Sequence, residues 1–192
     1  MTDAYHHGDL KSALIQAGLG IIEKEGVKAL TLRRVARETG VSHAAPYRHY
    51  KNKEALLVDL AVAGFDRLSE QFEEALAGLS GGPAEQAVCL GKTYIRFAMD
   101  HPHFYSLMFG DHIKTKTQHS GFFRAYDRMY RMFLGIVQQA ASRPAADAAI
   151  TVITVWAAVH GYVTFILDNS PDPHVGSPEQ VDRLMNKIAG LF

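Results

Sequence analysis

The sequence predicts an all-α protein of about nine helices, with a three-helix helix-turn-helix domain at the N-terminus followed by a helical C-terminal domain. Apolar residues recur at helical spacing along most of the chain, and no strand-like alternation interrupts them. Glycine and proline breaks separate the segments. Residues 31–53 contain two helices too short to be stable alone, joined by a tight turn. The helix-turn-helix of DNA-binding proteins is the main motif with this pattern.

Caps define the first two predicted helices. Asp9 is a suitable N-cap for a first helix that ends near Gly26. Thr31 caps a second helix over residues 32–39. Gly40 then occupies the position where a left-handed residue commonly ends a helix.

Ser42 is the predicted cap of a third helix, from about His43 to Tyr50. Pro46 disturbs it, because proline at the fourth helical position removes one backbone hydrogen bond and crowds the preceding turn. Either this helix begins later, near Ala45, or its first turn is distorted. Asn52 caps a long fourth helix, whose predicted apolar stripe consists of Leu57, Leu60, Gly64, Leu68 and Phe72.

The rest of the chain predicts further helices separated by clear breaks. The first break, at residues 80–83, ends in Pro83, which suits the first turn of a helix reaching about Met99. The remaining features are a break at 101–102, a short helix, a polar loop at 114–120, a helix over 121–141, a helix that starts at 143–144, a proline-rich break at 169–178, and a last helix that reaches Phe192.

Composition describes a globular chain with a hidden charge asymmetry. The 192 residues include one cysteine, Cys89, which excludes an internal disulfide framework and fits a cytoplasmic protein. The polar first residues do not resemble a signal peptide. The net charge is zero, but residues 1–53 hold nine Lys/Arg and five Asp/Glu, a balance of +4, which leaves −4 for residues 54–192. A basic N-terminal region favours attraction to phosphate.

The outward face of the third helix carries the predicted DNA contacts. Small residues allow close approach to a groove, while tyrosine and arginine reach phosphates or base edges. These residues are His43, Ala44, Tyr47 and Arg48, with Lys53 adding a cation at the start of the fourth helix. The alternative is a plain corner of two helices with a solvated basic face.

These residues resemble those of the TetR (tetracycline-repressor-like) family of transcription regulators. The resemblance covers about residues 8 to 60. It is carried by Thr31, by Gly40-Val41-Ser42, by Tyr47-Arg48-His49-Tyr50 and by Lys53-Glu54-Ala55-Leu56.

The resemblance implies a role for each matching position. Phosphate contacts are expected from Thr31, His49 and Lys53, and groove contacts from Ser42, His43, Ala44 and Tyr47. Tyr50 is expected in the core. Arg33 and Arg34 both lie where family members reach DNA, and which of them does so stays open. Residues 1–53 would form the DNA-binding domain, and residues 54–192 the effector-binding and dimerisation domain, with the helix at about 53–79 as connector.

Residues 144–167 form a long apolar run that approaches transmembrane length. Thr151, Thr154, His160 and other polar residues interrupt it, so a helix covered by a second subunit is favoured over a membrane span. The final helix repeats an apolar face at Val181, Leu184, Met185, Ile188 and Leu191. TetR-like proteins dimerise through their last two helices, and such a homodimer would present two recognition helices to a pseudo-palindromic operator.

An effector pocket is expected among the aromatic residues of the C-terminal region. The candidates are Tyr94, Phe97, Phe104, Phe109, Phe122, Phe123, Tyr126, Trp156 and His160, of which about half are expected to face a cavity. Trp156-x-x-x-His160-Gly161 resembles the signature of one TetR subgroup. The alternative is a core tryptophan beside a hydrogen-bonded core histidine. The implied effector is an apolar or aromatic small molecule with one or two polar handles.

No metal, cofactor or enzymatic activity is predicted. Asp100, His101, His103, Asp111, His112 and His119 lie close in sequence, but no spacing fixes a metal site, and helix caps and solvated loop histidines are favoured. A helical-bundle small-molecule or metal enzyme is an alternative, although Cys89 has no adjacent histidine. A further alternative is an apolar-ligand carrier with a vestigial helix-turn-helix.

Overall fold

All regular secondary structure that the computed structural model describes, over residues 7–141, 145–168 and 174–191, is helical. Those residues contain eight α-helices and three 3₁₀ turns. The α-helices are α1 (His7–Glu25), α2 (Leu32–Glu38), α3 (Lys53–Ala77), α4 (Pro83–Asp100), α5 (Pro102–Phe109), α6 (Ser120–Ala141), α7 (Ala145–Leu167) and α8 (Pro178–Ala189). The 3₁₀ turns are Val27–Ala29, Ala45–Arg48 and Lys116–Gln118.

The chain forms two compact units. We call residues 1–65 and 103–125 the head unit, and residues 66–102 and 126–192 the body unit. Helices α3 and α6 each contribute residues to both units.

In the head unit, the predicted caps of α2 are present. The Thr31 hydroxyl accepts a hydrogen bond from the Arg34 amide at 3.1 Å. At the other end, Gly40 has φ of 69°, the left-handed conformation that favours glycine, and the Val41 amide donates back to the Ala36 carbonyl at 3.0 Å. Both predictions are confirmed. The predicted cap at Asp9 is wrong, because α1 begins at His7.

The predicted third helix is a single 3₁₀ turn, Ala45–Arg48, rather than an α-helix over 43–50. Pro46 lies in its first turn and is buried. The Ala45 amide donates to the Ser42 carbonyl at 3.0 Å, and no side-chain cap is formed at the start of the turn. The structure therefore combines the two alternatives that Pro46 left open: the element begins at Ala45, and it is too tight to be an α-helix.

Helix α3 begins at its predicted cap, where Asn52 Oδ1 accepts the Ala55 amide at 2.9 Å. Its predicted stripe is buried, with Leu60, Leu68 and Phe72 fully inaccessible. Gly64 allows α5 to approach, because a Cβ there would lie 2.8 Å from Met108 Sδ.

The body unit is built around α4, which packs against α7 and α8. Its buried face includes Leu90, Tyr94, Ile95 and Phe97. The predicted helix start at residues 143–144 and the first part of the break at 169–178 lie outside the described residues. Helix α8 ends at Ala189, before the predicted end at Phe192, which also lies outside them.

Candidate DNA-binding surface and aromatic effector cluster

A groove on the head unit brings together residues from α2, the 3₁₀ turn and the start of α3. Its volume is about 430 Å³. It is lined by Thr31, Leu32, Arg33, Tyr47, Lys51, Asn52 and Lys53, and we call it the phosphate groove. Three of these seven residues are cations and none is an acid, so the groove offers a site for negative charge.

The structure separates the roles of Arg33 and Arg34. The Arg34 guanidinium forms two hydrogen bonds with the Glu25 carboxylate of α1, one of them at 2.7 Å from Nη1 to Oε2. This interaction lowers the pKa of the Glu25 carboxyl and raises the pKa of the Arg34 guanidinium. Arg33 is exposed and lines the phosphate groove. Arg33 is therefore open to solvent at the groove, whereas Arg34 joins α2 to α1.

Lys53 and Lys51 provide the other cations of the groove. Lys53 Nζ donates to the Val27 carbonyl at 3.1 Å, and partial burial lowers the pKa of this ammonium. Lys51 is exposed and was not among the predicted contacts. Its only sequence signal was its place between the 3₁₀ turn and the cap of α3.

The remaining predicted DNA contacts occupy different environments. Ser42, His43, Ala44 and Arg48 are exposed, and the side chain of Tyr47 is 54% accessible. His49 is half-buried, and its Nε2 atom is buried without a hydrogen-bond partner among the described residues. Tyr50 is core as expected, with 2% exposure and a hydrogen bond from its hydroxyl to Asp59 Oδ2 at 3.1 Å. Its burial raises the pKa of the phenol.

Directly after Lys53, Glu54 ties the start of α3 to the loop that follows α5. Glu54 Oε1 accepts hydrogen bonds from the Lys114 amide at 3.0 Å, the Thr115 amide at 3.0 Å and the Thr115 hydroxyl at 2.8 Å. The hydrogen bond from the Thr115 side chain is the main cause of a lowered pKa for the Glu54 carboxyl. This loop contact joins residues about sixty positions apart, and no local pattern signals it.

In the body unit, rings surround Trp156. Tyr94 and Tyr126 approach it edge-on, with centroid distances of 5.2 and 6.2 Å, and His160 stacks against it. The Tyr94 hydroxyl and His160 Nδ1 are 2.9 Å apart. Burial lowers the pKa of His160, which favours the neutral ring at pH 7. We call Tyr94, Tyr126, Trp156 and His160 the aromatic cluster; Phe133, absent from the predicted set, also contacts Trp156.

The other predicted effector residues do not join this cluster through the contacts described. Phe97 is buried in the body unit and packs edge-on against His101. In the head unit, Phe109 and Phe122 pack against Phe65 at centroid distances of 5.4 and 5.3 Å. Phe104 is buried, whereas Phe123 is 60% exposed.

The histidines between α5 and α6 act as loop partners. His112 Nε2 pairs with the Ser106 hydroxyl at 3.0 Å, and His119 Nε2 with the Thr115 hydroxyl at 3.1 Å. Within residues 7–141, 145–168 and 174–191, no group of three His, Cys, Asp or Glu side chains is arranged to hold a metal ion.

Helix α7 is long and apolar enough, over residues 147–167, to cross a membrane by length and composition. Only 22% of its most apolar window is buried in the single chain, so most of that window is not buried. Ile150, Ile153 and Phe165 are 64%, 55% and 64% exposed.

Two family models match the chain, one on either side of a short gap. Residues 14–60 match the model of bacterial regulatory proteins of the tetR family, and residues 87–188 match a tetracyclin repressor-like C-terminal domain. The chain belongs to the TetR family. The two matches confirm the predicted family. The Trp-x-x-x-His-Gly subgroup remains a prediction.

Individual relatives agree with this assignment. A solved protein of unknown function from Rhodococcus is 31% identical and superposes with a TM-score of 0.80 over 99% of this chain and 96% of its own. YerO, an uncharacterised helix-turn-helix transcriptional regulator of Bacillus subtilis, is 26% identical over 94% of this chain. The class C tetracycline repressor of Escherichia coli is 43% identical over 53 residues, 28% of this chain and 24% of the repressor.

The TetR-family chain spans 65% of the length of YerO and 50% of another curated relative, the regulator YobS of Bacillus subtilis. The predicted all-α fold with an N-terminal helix-turn-helix is confirmed. The individual site residues and the domain boundary at 53/54 remain predictions.

Proposed function

We propose that this TetR-family protein is a cytoplasmic, dimeric repressor that binds pseudo-palindromic operator DNA and leaves it when an apolar or aromatic effector binds. The phosphate groove carries this proposal. Three cations converge there with Thr31 and Tyr47, which supply a hydroxyl each, and no carboxylate opposes them. These three cations and two hydroxyls fit the phosphates of a DNA backbone best. Contacts with those phosphates would position the neighbouring 3₁₀ turn against the bases.

Because the operator is not known, the test begins with duplexes selected by the protein from a random DNA library. Tyr47→Ala and Lys53→Ala are each expected to weaken binding to the selected duplex by about tenfold or more. Loss of Lys53 should also reduce the salt dependence by about one counterion per half-site, since it removes one phosphate contact.

Arg37→Ala is the matched control for these variants. Arg37 is exposed on α2 and lies outside the phosphate groove, so its loss should change affinity far less. If Tyr47→Ala and Lys53→Ala bind the duplex as tightly as Arg37→Ala does, the groove is not the DNA-binding surface.

The proposed cover for α7 is a second copy of this chain rather than a lipid bilayer. Ile150, Ile153 and Phe165 form an exposed apolar surface, and Gly161 lies on the same helix with open space beyond its Cα. Association through the last two helices, α7 and α8, would cover it and pair two phosphate grooves for a palindromic site.

Analytical ultracentrifugation without detergent tests the dimer. The wild type is expected to sediment with the mass of two chains, and Ile153→Glu with the mass of one, because a charge would be buried in an apolar interface. Met99→Glu is the control, since Met99 is 45% exposed on another helix of the body unit. A dimeric Ile153→Glu variant, or wild-type protein that floats with lipid vesicles, would contradict the proposal.

The aromatic cluster is the proposed effector site. Four rings without a formal charge favour an apolar or aromatic ligand, and the Tyr94–His160 pair offers it one polar handle. Trp156, the single tryptophan, provides an intrinsic fluorescence reporter at the site.

We expect a subset of an aromatic carboxylate, phenol and acyl-ester library to change Trp156 fluorescence and to release the selected duplex at the same concentrations. His160→Ala should weaken both responses, whereas Phe123→Ala, an exposed aromatic in the head unit, should weaken neither. Ligands that release DNA equally from His160→Ala and wild type would place the effector elsewhere.

A further inference from the structure

A second cavity of the head unit shares Lys53 with the phosphate groove. It has a volume of about 240 Å³ and is lined by Val27, Lys28, Lys53, Glu54, Leu57 and His112. We call it the inner cavity. Of the DNA contacts proposed above, Lys53 alone belongs to it.

The inner cavity combines an apolar part with an excess of positive charge. Val27 and Leu57 are 6% and 3% exposed. Lys28 and Lys53 supply two ammonium groups against the single carboxylate of Glu54. Glu54 Oε1 accepts three hydrogen bonds from the loop after α5, so this carboxylate stabilises the loop.

Neither ammonium has a carboxylate partner among the described residues. Lys53 Nζ is hydrogen-bonded to the neutral Val27 carbonyl at 3.1 Å, and its partial burial removes water without supplying a countercharge. Lys28 is exposed at the edge of the same cavity. The His112 ring is fixed by its hydrogen bond with Ser106 and completes the lining.

We propose that the inner cavity binds a small oxyanion, a phosphate or a carboxylate, between Lys28 and Lys53. The cavity is smaller than those that hold drug-sized ligands, so the occupant is a small ion or metabolite rather than the apolar effector. Its effect on DNA rests on the proposed function. An oxyanion that engages Lys53 in the inner cavity competes with the DNA phosphate for the same ammonium, and DNA affinity falls.

Binding is tested first without DNA, by thermal unfolding in inorganic phosphate, acetate or chloride at equal ionic strength. A site saturated about tenfold above its Kd should raise Tm by about 3 °C over chloride. Lys28→Gln should abolish this shift, and Lys24→Gln, which removes an exposed lysine of α1, should retain it. The acetate arm decides whether a carboxylate serves as well as phosphate.

Lys51→Gln separates the two cavities, because Lys51 lines the phosphate groove only. The phosphate shift should persist in this variant. A shift lost in Lys51→Gln but kept in Lys28→Gln would place the anion in the groove and overturn the proposal. So would the absence of any phosphate-specific shift in the wild type.

DNA binding gives the second readout. At constant ionic strength, replacing chloride with phosphate should weaken binding of the selected duplex about tenfold in wild type and Lys24→Gln, the effect of losing a phosphate contact. The Lys28→Gln variant should bind the duplex equally well in both salts. If phosphate weakens its binding as much as it weakens that of the wild type, the proposed competition for Lys53 is overturned. The wild type could bind no duplex in either salt and still show the Lys28-dependent increase of Tm in phosphate. That result would contradict the proposed function but support the anion site.

Discussion

The phosphate groove and the aromatic cluster, the two proposed binding sites, differ in their physical character. The groove presents Arg33, Lys51 and Lys53 with no carboxylate in its lining. The aromatic cluster contains no acidic or permanently charged side chain, and burial lowers the pKa of its histidine, which favours the neutral ring. Charge in an accessible groove attracts any polyanion and responds to salt, whereas apolar burial selects by shape and is nearly indifferent to salt. The two proposed sites should therefore respond differently to salt.

A change in ionic strength should produce the largest difference between the two sites. Raising salt from about 50 mM to 200 mM should weaken duplex binding by roughly 10³-fold for a dimer with about six phosphate contacts. Effector affinity, followed through Trp156 fluorescence in the absence of DNA, should change by less than about twofold, because the four rings of the aromatic cluster carry no formal charge. A parallel loss of both affinities would show that the sites are not physically distinct in this way.

Within the head unit, substitutions of Arg33 and Arg34 should have different effects on DNA binding. Arg33→Ala should weaken duplex binding by about tenfold, since it removes a cation from the groove. Arg34→Ala should lower Tm slightly and affect binding less, because its guanidinium already serves Glu25. Fluorescence anisotropy and thermal scans on the two variants measure this. The reverse order of DNA affinities would reverse the assignment.

Thr31 caps α2 and also lines the phosphate groove, so it is expected to affect both stability and DNA binding. Thr31→Ala should cost about 1 kcal/mol of unfolding free energy, because the N-cap of α2 is lost. Thr31→Ser keeps the hydroxyl and should retain most of both stability and affinity. Urea unfolding of the three proteins provides the measurement. Equal stability of Thr31→Ala and wild type would mean that the cap contributes nothing.

The smallest expected effect is a pH dependence of the aromatic cluster. His160 has its pKa lowered in the folded protein, so the unfolded chain binds the proton more readily. The stability contributed by the neutral ring is present above the unfolded pKa, near 6.5, and decreases as the pH falls toward the folded value. Thermal scans from pH 8 to pH 5, compared with His160→Gln, test the sign. A stability gain of the wild type over that variant on acidification would contradict it.

Local rules predicted the head unit well. Thr31, Asn52 and Gly40 act within one helical turn of their own positions, so residue type and spacing were sufficient to place them. Pro46 was also identified as a disturbance, although the predicted α-helix around it was wrong. A proline that removes a hydrogen bond signals where regular structure fails but does not fix which tighter geometry replaces it.

Contacts between distant residues could not be predicted in this way. Thr115 approaches Glu54, and His160 approaches Tyr94, across about sixty positions of sequence. Helical periodicity assigns a residue to a face of its helix without assigning the neighbour of that face. For the same reason, the sequence could identify the aromatic candidates but could not separate those near Trp156 from the others. Phe123, for example, is exposed.

The short 3₁₀ turn at Ala45–Arg48 has a consequence for the proposed DNA binding, because it limits how many bases its own residues could contact. Four residues at about 2.0 Å each rise about 8 Å, whereas successive base pairs are about 3.4 Å apart. Under the proposed function, the turn by itself would span only two or three base pairs, and the exposed Ser42, His43 and Ala44 before it would extend the contacted segment. Selected operators should then show a short invariant core in each half-site, and the fixed spacing between the two cores would add to the specificity.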